Sequence, residues 1–321
     1  MKPDRGMDEF GLIDRFFRRP PRNPQVAVSI GDDAAVLDVG GRLAITTDTL
    51  LAGVHFANGA RAFDVGYKAL AVNLSDLAAM GARPRFFLLN LSVPAATETW
   101  LADFSAGLFA LADAQGVDLI GGDTVRGPLG VTITALGELP PGAGLTRAGA
   151  RPGDRIYVTG RLGCAALGFY YRQGRLDVPP MFRDDVLARL DRPTPRCQEG
   201  MALLPFASAA IDVSDGLAAD LGHMMEASGT GAEIDLARLP LSAAYAACFS
   251  AVGWDAALGF GDDYELCFAL PQEHVMAFEA VSCAFACGVR HVGDVVTTPG
   301  VRWFDKGRPY VPLRRGFNHF G

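Results

Sequence analysis

Apolar side chains recur at helical spacing over residues 7–19 (Phe10, Ile13, Phe16, Phe17) and stop at the proline-rich run 19–24. That pattern predicts a short amphipathic helix with a firm end. Short β-rich runs at 26–30 and 43–46 predict strands, and a helical pattern follows over 64–80. Strands are expected at 86–93 and 131–139, with a helix over 98–115 between them. This irregular order of strands and helices points to α+β layers more than to strict βαβ alternation. Residues 140–154, PPGAGLTRAGARPGD, are rich in Pro and Gly and read as a connector. Beyond it the pattern gives a strand at 155–160, helices at 164–173 and 182–190, a buried strand at 209–214 and a helix at 217–228. Strands at 232–236, 264–270 and 289–296 complete a second unit. The expected organisation is an N-terminal α+β domain over 1–139, a connector over 140–154 and a C-terminal α/β domain over 155–321.

A length of 321 residues suits two such domains, and a composition that is 50% hydrophobic supplies cores without disulfide or metal staples. The formal net charge is −7, which argues against nucleic acid as a partner. Within that total stand 27 Asp against 9 Glu, and 26 Arg against only 3 Lys: Lys2, Lys68 and Lys306. Lys68 is followed by Ala69 and Lys306 by Gly307, so no G-x-x-x-x-G-K-[ST] loop exists. All 6 Cys lie in the second half with no C-x-x-C spacing and no accompanying His, which reads as reduced thiols and not as a zinc site. Cys283 and Cys287, four apart, are expected on one helix face. No apolar run reaches the roughly 18 residues of a membrane span, so a soluble cytoplasmic protein without a membrane partner is expected.

Six segments share one construction, an apolar run ending at Asp beside Gly, Ser or Thr: GDDAAV at 31–36, TTDT at 46–49, NLSD at 73–76, GGDT at 121–124, DVSDG at 212–216 and GDDYE at 261–265. Any one of them is explained as a turn or a helix cap. Six converging carboxylate clusters would repel one another unless a cation lies between them. Magnesium meets that requirement, because it takes oxygen ligands, keeps several waters and joins one or two carboxylates to substrate phosphates. Thr46 and Thr47 offer further oxygens, Gly121 and Gly122 allow close backbone approach, and Arg147 in the connector is placed to clamp a phosphate. The residues by themselves therefore indicate a metal-dependent, phosphate-handling enzyme without a P-loop.

At these positions the chain resembles the thiamine-monophosphate kinases, of the superfamily that includes aminoimidazole ribonucleotide synthetase. The resemblance runs nearly end to end, through DEFGLI, IGDDAAV, TTDTLLAGVHF, YKALAVNLSDLAAMGA, LIGGDTVRG, LTRAGARPGDRIYVTG, IDVSDGLAADLGH, GDDYELCF and the closing GFNHF. It implies ATP-dependent phosphorylation of thiamine monophosphate to thiamine diphosphate with several Mg²⁺ ions. Carried over motif by motif, it implies metal ligands at Asp33, Thr46, Thr47, Asp48, Asp76, Asp123, Asp212 and Asp215, with Asp48, Asp76 and Asp123 central to catalysis. It implies ATP contacts at Gly122, Asp123, Arg147 and Ser214, and substrate contacts at His55, Asp262 and Phe317. Asp262 departs from the family's usual G-E-D-Y-E-L; the shorter carboxylate keeps the charge and loses one methylene of reach. An aromatic ring at 317 suits a cationic thiazolium. The implied fold is a homodimer whose N-terminal sheets pair into a barrel, with the C-terminal α/β domain closing over the cleft.

The acceptor is already an ionised phosphate, so no general base is needed and the expected reaction is direct in-line transfer dominated by positioning and charge neutralisation. The alternatives are a two-metal phosphohydrolase with water as acceptor, or another ATP-dependent member of the superfamily. A selenophosphate synthetase would need a reactive Cys near its N-terminus, whereas the first here is Cys164; a hydrogenase-maturation relative would carry a C-terminal Cys, whereas this chain closes on Phe320-Gly321.

Overall fold

The computed structural model describes residues 9–32, 34–314 and 316–317. It divides into two compact units, Met1–Leu77 with Arg83–Pro141, and Ala78–Ala82 with Gly142–Gly321.

The first unit begins with α1 (Glu9–Phe16), where the amides of Phe17 and Arg18 both donate to Ile13 O and tighten the last turn ahead of the prolines. A small antiparallel pair follows, β1 (Val26–Val28) with β2 (Val36–Leu37). The rest is β3 (Arg42–Leu51), α2 (Ala62–Ala79), β4 (Arg83–Val93), α3 (Glu98–Gln115), β5 (Asp118–Arg126) and β6 (Gly130–Leu139). Its sheet has the order β3-β6-β4-β5, antiparallel except for the β4–β5 pair. That parallel pair requires a crossover, which α3 supplies; α3 stops at Gly116, whose φ of 66° is the left-handed conformation that ends helices. Leu70, Leu74 and Leu77 of α2, Phe104 and Leu108 of α3, and Phe86, Phe87 and Leu91 of β4 are almost wholly buried.

The two helices cross at paired glycines. A Cβ on Gly107 would strike Phe63 O of α2, and one on Gly66 would strike Phe104 O of α3. Because the obstacle is backbone, Gly107→Ala should destabilise the protein by about 2 kcal/mol despite its better helix propensity. An unchanged urea midpoint would contradict this close crossing.

Sequence patterning places β3 and β5 imperfectly. The expected strand at 43–46 runs on to Leu51, since Thr46, Thr47 and Thr49 suit an extended backbone, so TTDT lies within a strand and not at its end. Strand β5 was not expected at all, because Gly121-Gly122 masks it. Here Ile120 is an extra residue in the β4 register, and Gly122 sits at φ 144° with its Cα against Leu89 O, where a Cβ has no room.

The second unit runs β7 (Arg155–Thr159), α4 (Cys164–Arg172), α5 (Pro180–Asp191), α6 (Cys197–Leu203), β8 (Ala209–Asp212), α7 (Leu217–Ser228), β9 (Gly231–Asp235), α8 (Ala243–Val252), α9 (Asp255–Gly259), β10 (Leu266–Leu270), α10 (Val275–Ser282), β11 (Val289–Val296), β12 (Gly300–Asp305) and β13 (Arg308–Tyr310). Its sheet has 7 strands in the order β13-β12-β9-β11-β7-β10-β8. Within this sheet only β9 and β12 pair in parallel among the described residues, so the expected α/β arrangement is here a mixed, mainly antiparallel sheet. Strand β10 is buried at every position, as a strand between two neighbours and beneath helices must be. Cys164, Cys197, Cys248 and Cys267 are buried and lie outside any disulfide. Helix α10 ends at Ser282, so Cys283 and Cys287 do not share a helix face as the spacing suggests.

Candidate active site

Each unit carries part of the acidic set. In the first unit two side chains of α2 reach β3. Asn73, fully buried, anchors itself by donating to Ala69 O and accepts the Asp48 amide at 3.0 Å. One turn further along α2, Asp76 Oδ2 accepts the Thr46 hydroxyl at 2.5 Å. Thr46, Asp48 and Asp76 are thereby gathered on one side of the sheet. The pleat sends Thr47 to the other face, where its hydroxyl donates to Ile133 O at 3.2 Å and accepts from Thr134 at 3.1 Å. Asp123 shares a register row with Asn90, Thr132 and Thr49, one row from Asp48, so by the same alternation it stands on the face of Thr47. Gly122 precedes it in the glycine-only conformation. His55 folds back on the end of β3, its Nδ1 accepting the Leu51 amide at 2.9 Å across a turn with Gly53 at φ 80°. Asp33 falls outside the described residues.

In the second unit the segments 212–216 and 261–265 are zipped together beyond the β8–β10 ladder. Val213 N donates to Glu265 O, Tyr264 N to Val213 O and Asp262 N to Ser214 O, each at 2.8 Å. Phe317 N donates to Asp215 O at 3.0 Å, which brings the half-exposed aromatic ring beside this loop pair. Asp212, Ser214, Asp215, Asp262 and Phe317 are therefore one local group. The loop 214–216 is held from within by Asp220, whose Oδ2 accepts the amides of Asp215 and Gly216 at 3.1 and 3.0 Å. Burial, and then the charges of Asp212 and Asp215, push the Asp220 carboxyl up to about 8. Asp262 has φ 62° and its Oδ1 accepts the Tyr264 hydroxyl at 3.0 Å. Asp263 turns away and accepts the Gly163 amide at 3.0 and 2.9 Å; burial drives its carboxyl well above the usual carboxylate range. Arg147 is exposed, on a segment tied down where Ala210 N donates to Thr146 O and Ser228 Oγ donates to Arg147 O.

Sequence reading did not single out Asn73, Asp220 or Tyr264, which shape the site without belonging to the expected ligand set. Asn73 carried a signal, since it is one turn before Asp76 on the same helix face. Among the described residues no three His, Cys, Asp or Glu side chains form a closed cluster. The donors brought together are oxygens alone, and Asp212 is buried. An all-oxygen donor set of carboxylates and hydroxyls fits a hard cation that retains water, and does not fit zinc.

The family models of the AIR synthase related proteins match both parts of the chain, the N-terminal domain over residues 31–139 and the C-terminal domain over 151–306. The chain is 44% identical over 323 residues to a thiamine-monophosphate kinase of Escherichia coli (strain K12), covering 97% of this chain and 98% of that one. It is similar to a crystal structure of thiamine-monophosphate kinase from Stenotrophomonas maltophilia K279a, with a TM-score of 0.83, 43% identity and coverage of 90% and 93%. A structure described as AaThiL complexed with AMPPCP and TMP aligns with a TM-score of 0.77 and 30% identity over 98% of this chain and 97% of that one. At this level of full-length likeness, the chain belongs to the thiamine-monophosphate kinase family of the AIR synthase related proteins.

Proposed function

We propose that this protein catalyses ATP-dependent phosphorylation of thiamine monophosphate to thiamine diphosphate by direct transfer between the two phosphates. The observation that carries this reading is the 44% identity to a thiamine-monophosphate kinase across 97% of the chain. It is supported by the likeness to a solved relative complexed with AMPPCP and TMP. Magnesium ions would be held by Thr46, Asp48 and Asp76 on one face of the first unit's sheet, by Thr47 and Asp123 on its other face, by Asp33, and by Asp212 and Asp215 in the second unit. Magnesium supplies charge neutralisation for the phosphates when bound. Gly122, Asp123, Arg147 and Ser214 bind ATP in this reading: Gly122 lets a phosphate approach the backbone, and Arg147 offers the planar fork that suits phosphate oxygens. His55, Asp262 and Phe317 bind the acceptor, Asp262 by charge and Phe317 by stacking on the cationic ring.

The functional assembly in this reading is a homodimer formed through the first unit's sheet. Strand β3 is an unpaired edge within the chain and leaves Ile45 63% and Leu51 45% exposed on one face, an apolar surface that a second copy would cover. Among the described residues no helix is long and apolar enough to cross a membrane, and a cytoplasmic site of action agrees with the use of ATP.

The test is ADP formation by the purified protein with ATP and Mg²⁺, with and without thiamine monophosphate. ADP and thiamine diphosphate should appear together, and only with the acceptor present. ADP released equally without it would overturn the kinase in favour of a phosphohydrolase.

A further inference from the structure

We propose that Arg196, through its buried pair with Glu265, is a positioning residue for acceptor binding, because the pair fixes the strained turn that presents Asp262. This rests on the kinase reading above and on Asp262 as an acceptor contact.

The turn is unusual in its backbone. Gly261, Asp262 and Tyr264 have φ of 86°, 62° and 51°, so two residues with a Cβ lie in the left-handed region within three positions. Such conformations persist only where the surroundings over-determine them. Here the restraints come from three sides. Backbone bonds join the turn to Val213 and Ser214. Asp263 reaches back to the N-terminus of α4 through the Gly163 amide. Glu265, 1% exposed, closes the turn.

Both Glu265 oxygens are engaged. Arg196 donates from Nε to Oε2 and from a terminal nitrogen to Oε1, each at 2.6 Å, in a planar two-bond pairing. The Thr159 hydroxyl donates to Oε2 at 2.8 Å, and its own oxygen accepts the Leu266 amide at 2.8 Å, locking the carboxylate to the first residue of β10. The Arg161 amide donates to Oε1 at 3.3 Å. Gly160 takes φ 57° directly against the carboxylate, where a Cβ would collide with it. Arg196 stands 69 positions away in sequence, just before α6, and only 8% of it is exposed.

A buried ion pair contributes little to stability compared with well-packed hydrocarbon of the same volume, so stability alone is a weak reason for it. What the pair supplies that hydrocarbon does not is direction. It fixes the Glu265 side chain in a plane and so the backbone at 264–266, and the Tyr264 hydroxyl then holds Asp262 Oδ1 at 3.0 Å. Lysine at 196 would retain the charge and lose the two-bond geometry, leaving Asp262 free to shift.

The experiment compares wild type, R196K, D262N and R196K/D262N, each checked for folding by circular dichroism and thermal melting. For folded R196K, KM for thiamine monophosphate should rise about tenfold while KM for MgATP stays within about twofold, since displacement of a contact by a fraction of an ångström costs this much. R196K/D262N should lose little beyond D262N alone, because Arg196 acts through Asp262. An unchanged acceptor KM, equal rises in both KM values, or fully additive losses would overturn the assignment. If R196K does not fold, E265Q, of nearly unchanged shape, is judged by the same criteria. Calorimetric binding of thiamine monophosphate to wild type and to the variant repeats the comparison without turnover. A wild type that binds the acceptor but forms no ADP thus removes the kinase reading separately, while equal affinity of wild type and variant removes the positioning role.

Discussion

Asp48→Asn should lower kcat for acceptor-dependent ADP formation by roughly two to three orders of magnitude, the range seen when one group that stabilises developing charge is removed, while changing stability by no more than about 0.5 kcal/mol. The separation follows from how Asp48 is held. Its backbone amide is tied to Asn73, and the residue is exposed on β3. Asparagine keeps the backbone amide, and with it the register of β3 against β6. What changes is one negative charge beside Thr46 and Asp76. In the proposed role that charge helps hold a divalent cation against the phosphates, so its loss weakens the neutralisation that lets two anions meet. Raising Mg²⁺ should recover part of the activity. Steady-state kinetics over a Mg²⁺ series, paired with urea unfolding of the same preparation, is the measurement. Parallel loss of turnover and stability would make Asp48 a folding residue and remove it from the metal set.

The helices and the carboxylate motifs were the legible part of the chain. The helical pattern over 64–80 located α2 within two residues, its apolar side chains interrupted by Asp64, Lys68, Asn73 and Asp76 at helical spacing. The motifs stood out because Asp next to Gly, Ser or Thr is conspicuous at any position. Their resemblance to a known family identified it, as the full-length comparison bears out. Side-chain direction was not legible. Thr46 and Thr47 are adjacent in TTDT and look equivalent, yet the pleat separates them onto opposite faces. Reading that requires the strand, and the strand's length depended on packing that patterning does not encode. The same holds for β5, whose paired glycines look like a loop until Leu89 O is found against Gly122. Least legible were the residues that hold the site. Asp220 lies 5 positions from Asp215 and Arg196 lies 69 from Glu265, and nothing in their local composition distinguishes them from other acids and arginines.

Glu265→Ala is expected to have the largest effect on stability, a loss of about 3–5 kcal/mol, because it leaves a buried guanidinium without its partner. Arg196 is 8% exposed, so its charge is not restored to water when the carboxylate goes. The Thr159 hydroxyl and the Arg161 amide lose their acceptor at the same time. A loss of that size is a large part of the roughly 5–15 kcal/mol that a folded domain holds, and the urea midpoint of the unit that contains Glu265 should fall accordingly. The double variant R196M/E265L separates charge burial from shape. With both charges replaced by hydrocarbon of similar volume, most of the lost stability should return, although Thr159 still lacks its acceptor. Recovery of stability without recovery of acceptor KM would mean that the pair is retained for the direction it gives the turn at Asp262. If Glu265→Ala cost less than about 1 kcal/mol, water would have to reach Arg196 freely, and the tight packing of Gly160 against the carboxylate would have to open to admit it.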